Sequence, residues 1–470
     1  MTSAAPPAEL TSACPDVRLA TPADAVAGVL PSYVAAPATE AEAGALLTAA
    51  ASLGLAVLPR GGGTRMAWGA APARCDLIVE TRRLDAVLEH AAGDLVVRAQ
   101  AGVPLAALAQ VLARAGQRLA VDPPAARSTA GGGTAASRSV ANSTAASSTA
   151  ARGTATDGGT VAGGTVGGLI ATGVAGPLRL RYGTPRDLLI GVTMIRADGK
   201  VARAGGKVVK NVAGYDTGKL LAGSYGTLGL ITEATFRLHP KPAAVSYVSL
   251  DYARPEAAAA ALLGVASSTL VPAAAELDWP AHGAPISVAV LFEGDPAGVA
   301  QRAARLRDLL AEIGGAQAGA TGVSPTAGDR MRTDDVPPPW WGAGAAAAPD
   351  GTVLRIAFWA SRLPDVLRWI RDVAGPAGLN PAISRSGAAG VLHAAVPPDA
   401  PPAAVARFVA GLRAALPDGR ASAVVLHAPA EVAAAVDLWG PVPSARLMRS
   451  VKDQFDPEHR MAPGRFAGGI

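Results

Sequence analysis

The feature that most restricts how this chain can fold is a glycine loop that directly follows a short apolar strand. Ala56–Pro59 is typical of a strand, and the letters GGGT continue it at Gly61–Thr64. Consecutive glycines allow positive φ angles and let successive backbone N–H groups converge on one anion. The same four letters recur at Gly131–Thr134, where no strand precedes them. Context therefore predicts an anion nest at the first GGGT and no ligand at the second.

The second GGGT lies in a low-complexity segment, residues 125–164, that is almost entirely Ala, Ser, Thr and Gly. It contains no aromatic residue, and its only charged side chains are Arg127, Arg138, Arg152 and Asp157. Such a composition cannot bury enough apolar surface to offset the entropy lost on ordering. We predict a disordered insertion here.

Two common phosphate-binding signatures are absent. A GxGxxG pattern would need glycine where Met66 stands, and no GxxxxGK[ST] pattern occurs anywhere in the chain. These absences disfavour a Rossmann domain and a P-loop NTPase. Instead, TVGG at Thr165–Gly168 is the predicted structural partner of the first glycine loop.

Size and composition exclude several classes of protein. At 470 residues the chain predicts two or three domains, and its net charge of +5 is scattered, which disfavours a nucleic-acid-binding surface. Only two cysteines, Cys14 and Cys75, are present, so an iron–sulfur cluster would have to lie on another chain.

The N-terminus lacks a secretory pattern, and the alanine-rich run Glu256–Ala275 predicts a soluble helix. We expect a cytoplasmic protein whose association with a membrane would depend on its partner subunits.

Five glycine-containing blocks carry a family resemblance. PRGGGT, TVGGLIATG, GPLRLRYGTPRDLLIG, VVKNVAGYD and GSYGTLGLITE occur in this order. They resemble the FAD-binding domain of the vanillyl-alcohol-oxidase type, also called PCMH type. Within that family they look like the FAD-binding E subunit of bacterial glycolate oxidase. The resemblance covers Tyr33–Pro123 and Thr165–Pro242, and it resumes in the C-terminal tail.

The resemblance implies an α+β fold with a two-subdomain FAD-binding domain. An α+β cap-like domain with an antiparallel sheet would follow, and the C-terminal tail would return to the FAD domain. Composition alone, rather than the resemblance, predicts a Pro-, Gly- and Ala-rich loop at Gly314–Pro349 that interrupts the cap. The expected divisions are a lead-in (1–30), FAD subdomain 1 (31–124), the insertion (125–164), FAD subdomain 2 (165–242), the cap (243–440) and the C-terminal helix and tail (441–470).

The resemblance also implies which residues hold the cofactor, FAD, through backbone N–H groups and close glycine contacts. Pro59–Thr64 and Thr165–Gly168 would cradle the pyrophosphate. Gly176–Gly183 and Asn211–Asp216 would line the flavin, and Gly226–Thr232 would contact the adenine side. The implied FAD-binding residues are Pro59, Arg60, Gly61, Gly62, Gly63, Thr64, Thr165, Val166, Gly167, Gly168, Thr172, Gly176, Arg179, Tyr182, Gly183, Lys210, Asn211, Gly214, Tyr215, Asp216, Gly226, Gly229 and Ile231.

Two departures from relatives bear on chemistry. Some relatives attach FAD through a histidine or cysteine beside the first glycine loop, and positions 61–69 contain neither, so non-covalent FAD is expected. Relatives that oxidise 2-hydroxy acids carry histidine-rich metal-binding segments. Here no two histidines are paired at HxH or HxxxH spacing, so no metal site and no catalytic residue is assigned. We expect His393 and His427 to be structural and His239 to lie in a turn.

Two further features stay open at this level. Arg385 is the candidate for binding a substrate carboxylate, although a solvated loop arginine is the simpler interpretation. Trp340 and Trp341 in a Pro-rich loop fit either a partner-docking patch or a core plug. The sequence does not decide between these alternatives.

The predicted function is that of the FAD-binding subunit of a multisubunit glycolate oxidase, which converts glycolate to glyoxylate. Its expected partners are a catalytic flavoprotein subunit and an iron–sulfur subunit, with a small 2-hydroxy acid as the substrate of the complex. Two alternatives remain. One is a stand-alone FAD-dependent 2-hydroxy-acid dehydrogenase, and the other is a structural subunit without flavin.

Deleting Ala126–Asp157 is expected to leave FAD content and thermal unfolding nearly unchanged. The reason is that each halving of a flexible loop changes its closure free energy by only about 0.6 kcal/mol, so this roughly fivefold shortening changes it by about 1.4 kcal/mol. Flavin absorbance per mole of purified protein and the melting temperature measure the effect. Loss of bound flavin in the deletion variant would show that the segment contributes to the site.

Overall fold

The computed structural model describes residues 5–123, 164–207, 216–321, 331–342, 350–417 and 419–470. Apart from Gly164, the predicted insertion lies outside the described residues, and so does its GGGT at Gly131–Thr134. Four predicted site residues also lie outside them: Lys210, Asn211, Gly214 and Tyr215.

The N-terminal layer is a small mixed sheet covered by helices. Its elements are α1 (Ala8–Ala13), β1 (Val17–Leu19), β2 (Tyr33–Ala35), α2 (Glu40–Ser52), β3 (Val57–Arg60) and β4 (Leu77–Glu80). The strand order is β1-β2-β4-β3, with β2 and β3 both parallel to β4 and β1 antiparallel to β2. The helix α2 connects β2 to β3, as parallel strands of one sheet require a crossover.

The spacing of Ala43, Leu46, Leu47 and Ala50 in the sequence predicts a helix over Thr39–Gly54, and α2 forms there. The Thr39 side chain accepts a hydrogen bond from the Glu42 backbone N–H at 3.1 Å, which caps the helix start. The predicted apolar face, which includes Leu46 and Leu47, is fully buried against β4 residues such as Leu77. This packing fixes the position of β3 and therefore of the glycine loop that follows it.

The second layer is a five-stranded antiparallel sheet with short helices on it. Its elements are β5 (Val87–Ala91), β6 (Val96–Gln100), α3 (Leu105–Ala113), β7 (Gln117–Arg118), α4 (Val166–Thr172), α5 (Arg179–Tyr182), α6 (Pro185–Leu188), β8 (Leu189–Ile195), β9 (Val201–Gly205), β10 (Leu230–Arg237) and β11 (His239–Pro240). The strand order of the five-stranded sheet is β5-β6-β10-β8-β9, and β7 and β11 pair with each other in a separate two-stranded sheet. In the sequence, the run Asp187–Gly206 with Asp198–Gly199 at its centre predicts a hairpin, and β8 and β9 form it with their turn at this dipeptide.

This sheet combines strands from both sides of the insertion. Strand β6 pairs with β10 over Val96–Gln100, so residues before the insertion share a sheet with residues after it. The two sheets therefore divide the chain between β4 and β5 rather than at the insertion. His239 lies in β11, paired with Arg118, and the expected turn at this position is wrong.

The third layer is an eight-stranded antiparallel sheet. Its elements are β12 (Ala244–Tyr252), α7 (Pro255–Ser267), β13 (Ala274–Trp279), β14 (Ile286–Gly294), α8 (Pro296–Thr321), β15 (Arg332–Asp334), β16 (Thr352–Phe358), α9 (Leu363–Ala374), β17 (Ala382–Arg385), β18 (Val391–Val396), α10 (Pro402–Ala415), β19 (Ala421–His427) and α11 (Ala430–Ala435). The strand order is β15-β12-β14-β13-β17-β18-β16-β19.

Two sequence expectations for this layer are wrong. The run Glu256–Ala275 is not one helix, because α7 ends at Ser267 and Ala274 begins β13. The predicted loop Gly314–Pro349 contains the end of α8 and the whole of β15. Alanine favours helices by propensity. Here Ala274 and Ala275 are buried and pair with β14, so tertiary contacts override this preference.

Helices cover one face of the eight-stranded sheet. Alternate residues such as Leu277, Leu354 and Leu392 join the largest core cluster with the apolar faces of α7, α8, α9 and α10. Residues between them point to the opposite face, where Leu178, next to α5, packs on Ala274 and Leu291. The face of this sheet that carries no helices is therefore the one that meets the first two layers of the chain.

The chain ends in an amphipathic helix, α12 (Ala445–Phe455), and a tail that returns to the first two layers. The Val57 N–H donates to the Arg460 carbonyl at 2.8 Å, and the Ala462 N–H donates to the Val57 carbonyl at 2.8 Å. Lys452, 0% exposed, donates to Asp456 at 2.7 Å and to the Thr227 and Met461 carbonyls. The predicted return of the tail is confirmed.

No helix within the described ranges is both long enough and apolar enough to cross a membrane.

Replacing Lys452 with methionine is expected to lower the free energy of unfolding by about 3–5 kcal/mol. The substitution leaves the buried Asp456 carboxylate without its cation. Urea unfolding followed by circular dichroism measures the change. The matched control is Lys200→Met, an exposed lysine, for which we expect a change of about 0.5 kcal/mol or less. Equal stability of the two variants would contradict the assigned role of the ion pair.

Candidate functional site

The predicted anion nest lies at the end of β3 and lines a cavity. The backbone N–H groups of Gly61–Thr64 donate to no acceptor among the described residues. Gly63 has φ +71°, which alternates the direction of successive N–H groups. A row of open donors at the end of a fixed strand is suited to a phosphate or pyrophosphate group.

Helix α4 forms the facing wall at very close range. A Cβ added to Gly61 would lie 2.3 Å from the Thr165 Oγ1, and one added to Gly167 would lie 2.8 Å from the Ala101 Cβ. The Val166 and Gly167 N–H groups donate to the Val103 and Ala101 carbonyls. These amides of Thr165–Gly168, expected to be pyrophosphate donors, are therefore already used inside the protein. The segment offers the cavity a close glycine surface and the Thr165 side chain.

A third wall comes from the GSYGTLGL block. Gly226 (φ +78°) approaches Pro59 so closely that an added Cβ would lie 3.2 Å from the proline ring. Tyr225, at φ +55°, places its ring edge-to-face against Trp439 at 5.3 Å. This wall is fixed from behind, because Lys452 holds the Thr227 carbonyl.

Two arginines beside the glycine loop have roles that the sequence analysis did not predict. Arg465, from the C-terminal tail, lines the cavity and donates to the Met66, Trp68 and Ala70 carbonyls. Arg60, expected to contact FAD, instead forms ion pairs with Asp24 at 2.7 Å and Glu80 at 2.8 Å. No local pattern in the sequence announces the role of Arg465, since its partners lie almost the full chain length away.

The structure places thirteen of the predicted FAD-binding residues in the lining of this cavity: Pro59, Arg60, Gly61, Gly62, Gly63, Thr64, Thr165, Gly167, Gly168, Thr172, Gly226, Gly229 and Ile231. Six others lie outside the lining: Val166, Gly176, Arg179, Tyr182, Gly183 and Asp216. Residues that the sequence did not single out complete the lining: Leu58, Arg65, Met66, Thr81, Gly164, Ala171, Tyr225, Leu230 and Arg465.

A second group of charged residues lies on the uncovered face of the eight-stranded sheet, around Arg385. This residue ends β17 with φ +107°, a conformation that side-chain-bearing residues rarely adopt. Arg385 is only 4% exposed, and its Nε and Nη1 have no hydrogen-bond partner among the described residues. Strained backbone and an unsatisfied buried cation occur together at functional sites far more readily than in ordinary loops.

Two desolvated carboxyl groups lie near Arg385. Glu276, on β13, is buried and accepts a hydrogen bond from the Ser386 hydroxyl, and burial raises its pKa to about 7. Asp122 accepts from the Leu178 N–H at 3.1 Å with both oxygens, and desolvation raises its pKa to about 8. Neither carboxyl forms an ion pair with Arg385 within 4 Å, so the guanidinium keeps its binding capacity.

Further cations surround the cluster. Strand pairing aligns Ser384, His393 and Arg355 in one row across β17, β18 and β16. Burial and the charges of Arg385, Arg355 and Arg179 lower the pKa of His393 well below its usual value, so its imidazole is neutral near pH 7. His393 was expected to be structural, yet it lies among these arginines. His427 fits the structural expectation, because its Nδ1 contacts the Gly351 carbonyl at 2.8 Å.

The nest and the charged cluster adjoin one another. Burial lowers the pKa of Arg65, in the glycine loop, to about 10, and the positive charge of Arg385 acts in the same direction. Arg355, in the cluster, likewise acts on the hydroxyl of Tyr225 in the cavity wall. The two groups therefore share one electrostatic environment at the junction of the layers.

A buried ion pair holds this junction together. Arg118 donates to both oxygens of Glu293, on β14, at 2.8 and 2.5 Å. The Tyr182 hydroxyl donates to the same carboxylate at 2.8 Å, and Arg118 lies over the Tyr182 ring. Tyr182 was expected to line the flavin, and in this structure its hydroxyl links the two halves of the chain. Trp341 packs edge-to-face on Tyr247 nearby at 5.1 Å, which favours the plug interpretation of that loop.

Comparison with known protein families identifies the domain that holds the nest. Residues 31–150 and 140–205 match the family model described as an FAD binding domain. The matched residues include β3, the glycine loop and α4, which form the cavity. The chain thus contains an FAD-binding domain, and FAD is its cofactor.

Curated relatives are similar over part of the chain. Glycolate oxidase subunit GlcD of Bacillus subtilis is 29% identical over 253 residues, which is 53% of this chain and 46% of that protein. Glycolate oxidase subunit GlcE of Escherichia coli is 34% identical over 153 residues, 32% of this chain and 33% of that protein. The chain therefore spans less than half the length of these relatives.

A solved structure extends the comparison to the whole fold. An alkyldihydroxyacetonephosphate synthase superposes with a TM-score of 0.64 over 93% of this chain and 78% of that one, at 17% identity. At this identity the likeness concerns the fold alone. Together with the match to the FAD binding domain model, it confirms the predicted α+β class, a PCMH-type FAD-binding domain followed by a cap with an antiparallel sheet.

The residues present fit FAD on the geometry of this structure. A pyrophosphate needs several convergent donors, and the open amides of Gly61–Thr64 supply them. The close approaches at Gly61 and Gly226 leave a cleft that a Cβ would narrow. The described lining contains no histidine or cysteine, and non-covalent binding of FAD stays a prediction.

Replacing Gly61 with alanine is expected to raise the dissociation constant of FAD about tenfold or more. The new Cβ would overlap the Thr165 Oγ1 and push the nest away from α4, at about 1–3 kcal/mol. Fluorescence titration of the apoprotein with FAD measures the affinity. Gly93→Ala, at a site with open space around it, is the control and should bind FAD normally. Normal affinity in both variants would remove Gly61 from the site.

Proposed function

We propose that this protein is an FAD-dependent oxidoreductase that oxidises a small 2-hydroxy acid and binds the carboxylate of that acid at Arg385. The observation that carries the proposal is the buried guanidinium of Arg385, with two nitrogens that lack partners among the described residues. Arg385 also lies next to the FAD-binding cavity, which is the second observation in support of the proposal.

A substrate carboxylate is the group that best satisfies this arginine. A buried cation without an anion costs several kcal/mol, and a guanidinium binds a carboxylate with two parallel hydrogen bonds. Arg179 and Arg355 add positive charge, while the pKa values of Glu276 and Asp122 are raised toward neutrality. The cluster therefore attracts a small anion rather than a cation or an apolar molecule.

FAD, when bound, supplies the capacity to accept a hydride from the carbon that bears the hydroxyl group. The residues of this chain bind and orient the acid. Arg385 holds its carboxylate, and the glycine-lined walls keep water out by close packing. The name and similarity of the glycolate oxidase relatives support glycolate, the smallest 2-hydroxy acid, as the first substrate to test.

We further propose that the chain works as the FAD-binding subunit of a multisubunit glycolate oxidase, beside a second, catalytic flavoprotein subunit and an iron–sulfur subunit. The resemblance to the E subunit supports this assembly. The chain has only two cysteines, fewer than the four thiolates that typically hold a cluster, so the iron–sulfur cluster of such a complex would lie on another subunit. Association with a membrane would then depend on the partners, and the chain itself would be cytoplasmic.

Co-purification of the tagged chain from its natural host tests the assembly. Recovery with a second flavoprotein and an iron–sulfur protein would support the complex. A chain that reduces its own FAD with glycolate and is recovered with neither partner would favour the stand-alone dehydrogenase, because the cluster at Arg385 would serve that enzyme equally well. A colourless protein that binds no added FAD would favour the structural subunit and overturn the proposal.

Replacing Arg385 with methionine is expected to reduce kcat/KM for glycolate about 30-fold or more, mostly through KM. Removing one partner of a buried, hydrogen-bonded charge pair costs about 2–5 kcal/mol. Steady-state kinetics of the holoprotein, with an artificial electron acceptor, measure the change. Arg368→Met, at an exposed arginine on α9, is the matched control and should leave both constants unchanged. An unaltered KM in the Arg385 variant would contradict carboxylate binding at this residue.

A further inference from the structure

Oxidation of a 2-hydroxy acid releases a hydroxyl proton, and a group near Arg385 must accept it. This requirement rests on the proposed function. The chain has no histidines paired at metal-binding spacing, so the proton acceptor has to be sought among the side chains that the fold brings to the cluster. Three candidates are present: Glu276, Asp122 and His393.

Glu276 has the position of an acceptor next to the carboxylate-binding arginine. It lies on β13 beside β17, where Leu277 pairs with Arg385, so Glu276 is adjacent to Ser386 across the strands. The Ser386 hydroxyl donates to the Glu276 Oε1, which fixes the carboxyl group and leaves Oε2 without a described donor. A 2-hydroxy acid carries its hydroxyl on the carbon next to the carboxylate, so a group beside Arg385 is close to that hydroxyl.

The other two candidates are less suited to accept a proton. Asp122 uses both oxygens to accept from the Leu178 N–H, and its raised pKa leaves it largely protonated near neutral pH. His393 would become an imidazolium, and the positive charges of Arg385, Arg355 and Arg179 oppose this. Protonation of Glu276 instead removes a negative charge from a buried position.

The charges that act on Glu276 are balanced. Burial raises its pKa, whereas Arg385, the Ser386 hydrogen bond and Arg179 lower it, with the net result at about 7. The carboxyl group of Asp122 also interacts electrostatically with Glu276. A base of this strength is ionised in part at neutral pH and is still basic enough to take up a proton.

We propose that Glu276 is the catalytic base that accepts the hydroxyl proton of the 2-hydroxy acid bound at Arg385, and that Ser386 is its positioning residue.

The step balances as follows. The C–H bond of the hydroxyl-bearing carbon breaks, and its hydrogen leaves with the bonding pair as a hydride that reduces FAD. The O–H bond breaks as well, its electron pair forms the C=O bond of the 2-oxo acid, and the proton goes to the Glu276 carboxylate. Two electrons leave the acid and two reduce FAD, so no further oxidant is required for this half-reaction.

The first test is flavin bleaching by glycolate in the purified holoprotein under anaerobic conditions. Glu276→Gln keeps the shape of the side chain and is expected to slow bleaching about 100-fold or more. In the wild type, the bleaching rate should fall as the pH drops below about 7, because Glu276 must be ionised to act. The variant should lose this pH dependence.

Two further variants separate a catalytic role from a structural one. Ser386→Ala removes a hydrogen bond that favours the ionised carboxylate, so the pH at which bleaching is half-maximal should move upward while most of the rate is kept at high pH. Asp278→Asn alters a carboxyl on the same strand whose pKa is raised to about 6 by burial alone, and it should leave rate and pH profile unchanged.

A binding measurement provides a readout that does not depend on turnover. Oxalate, a non-reacting dicarboxylate, is titrated into oxidised holoprotein by calorimetry in two buffers of different ionisation enthalpy near neutral pH. An anion held at Arg385 raises the pKa of Glu276, so wild type should take up part of a proton on binding. Glu276→Gln should bind oxalate without this proton uptake, which also shows that the variant is folded.

The outcomes are distinguishable. Full bleaching rate with an unchanged pH profile in Glu276→Gln would overturn the base assignment while the proposed function stands. Equal proton uptake in wild type and Glu276→Gln would overturn it too. If no 2-hydroxy acid bleaches the wild-type flavin and oxalate does not bind, the proposed function itself fails and the base assignment fails with it.

Discussion

The buried ion pair between Lys452 and Asp456 is the interaction on which the FAD-binding half depends. Its lysine also holds the carbonyl of Thr227, in one wall of the cofactor cavity, and that of Met461, in the returning tail. Because the lysine has no exposed surface, losing either partner would leave an uncompensated charge. The tail that is fixed in this way delivers Arg465 to the loop after the nest. One desolvated contact thus links the C-terminus, the cavity wall and the glycine loop.

The second half of the chain contributes charge to the same region. Its sheet packs helices against one face and turns the other toward α5 and the cofactor domain. Arg385 and Glu276 come from neighbouring strands of that sheet, and Asp122 and Arg179 come from the cofactor domain. The pair formed by Arg118 and Glu293 fixes the distance between the halves. The chemistry that we propose therefore belongs to the junction and to neither half alone.

Much of the fold could be predicted from local pattern. Helix α2, the β8–β9 hairpin and the glycine loop after β3 have the expected positions, since capping, turn chemistry and glycine conformation act over a few residues. The long alanine-rich run misled the prediction, because alanine fits both a helix and the buried start of β13. The sheet that joins β6 to β10 was not predictable either, since strand pairing across an insertion leaves no local signal.

By itself, the sequence determined the cofactor domain. Runs of glycine restrict what the backbone can do at each position, and their order along the chain carries the resemblance to FAD-binding domains. Only the tertiary structure decided the role of the charged residues. Arg385 and Glu276 are ordinary letters in the sequence, and their chemical character depends on the water that packing removes and on the charges that distant segments bring near. Arg60, which directly precedes the glycine loop, forms ion pairs with Asp24 and Glu80, because the fold places these carboxylates within its reach.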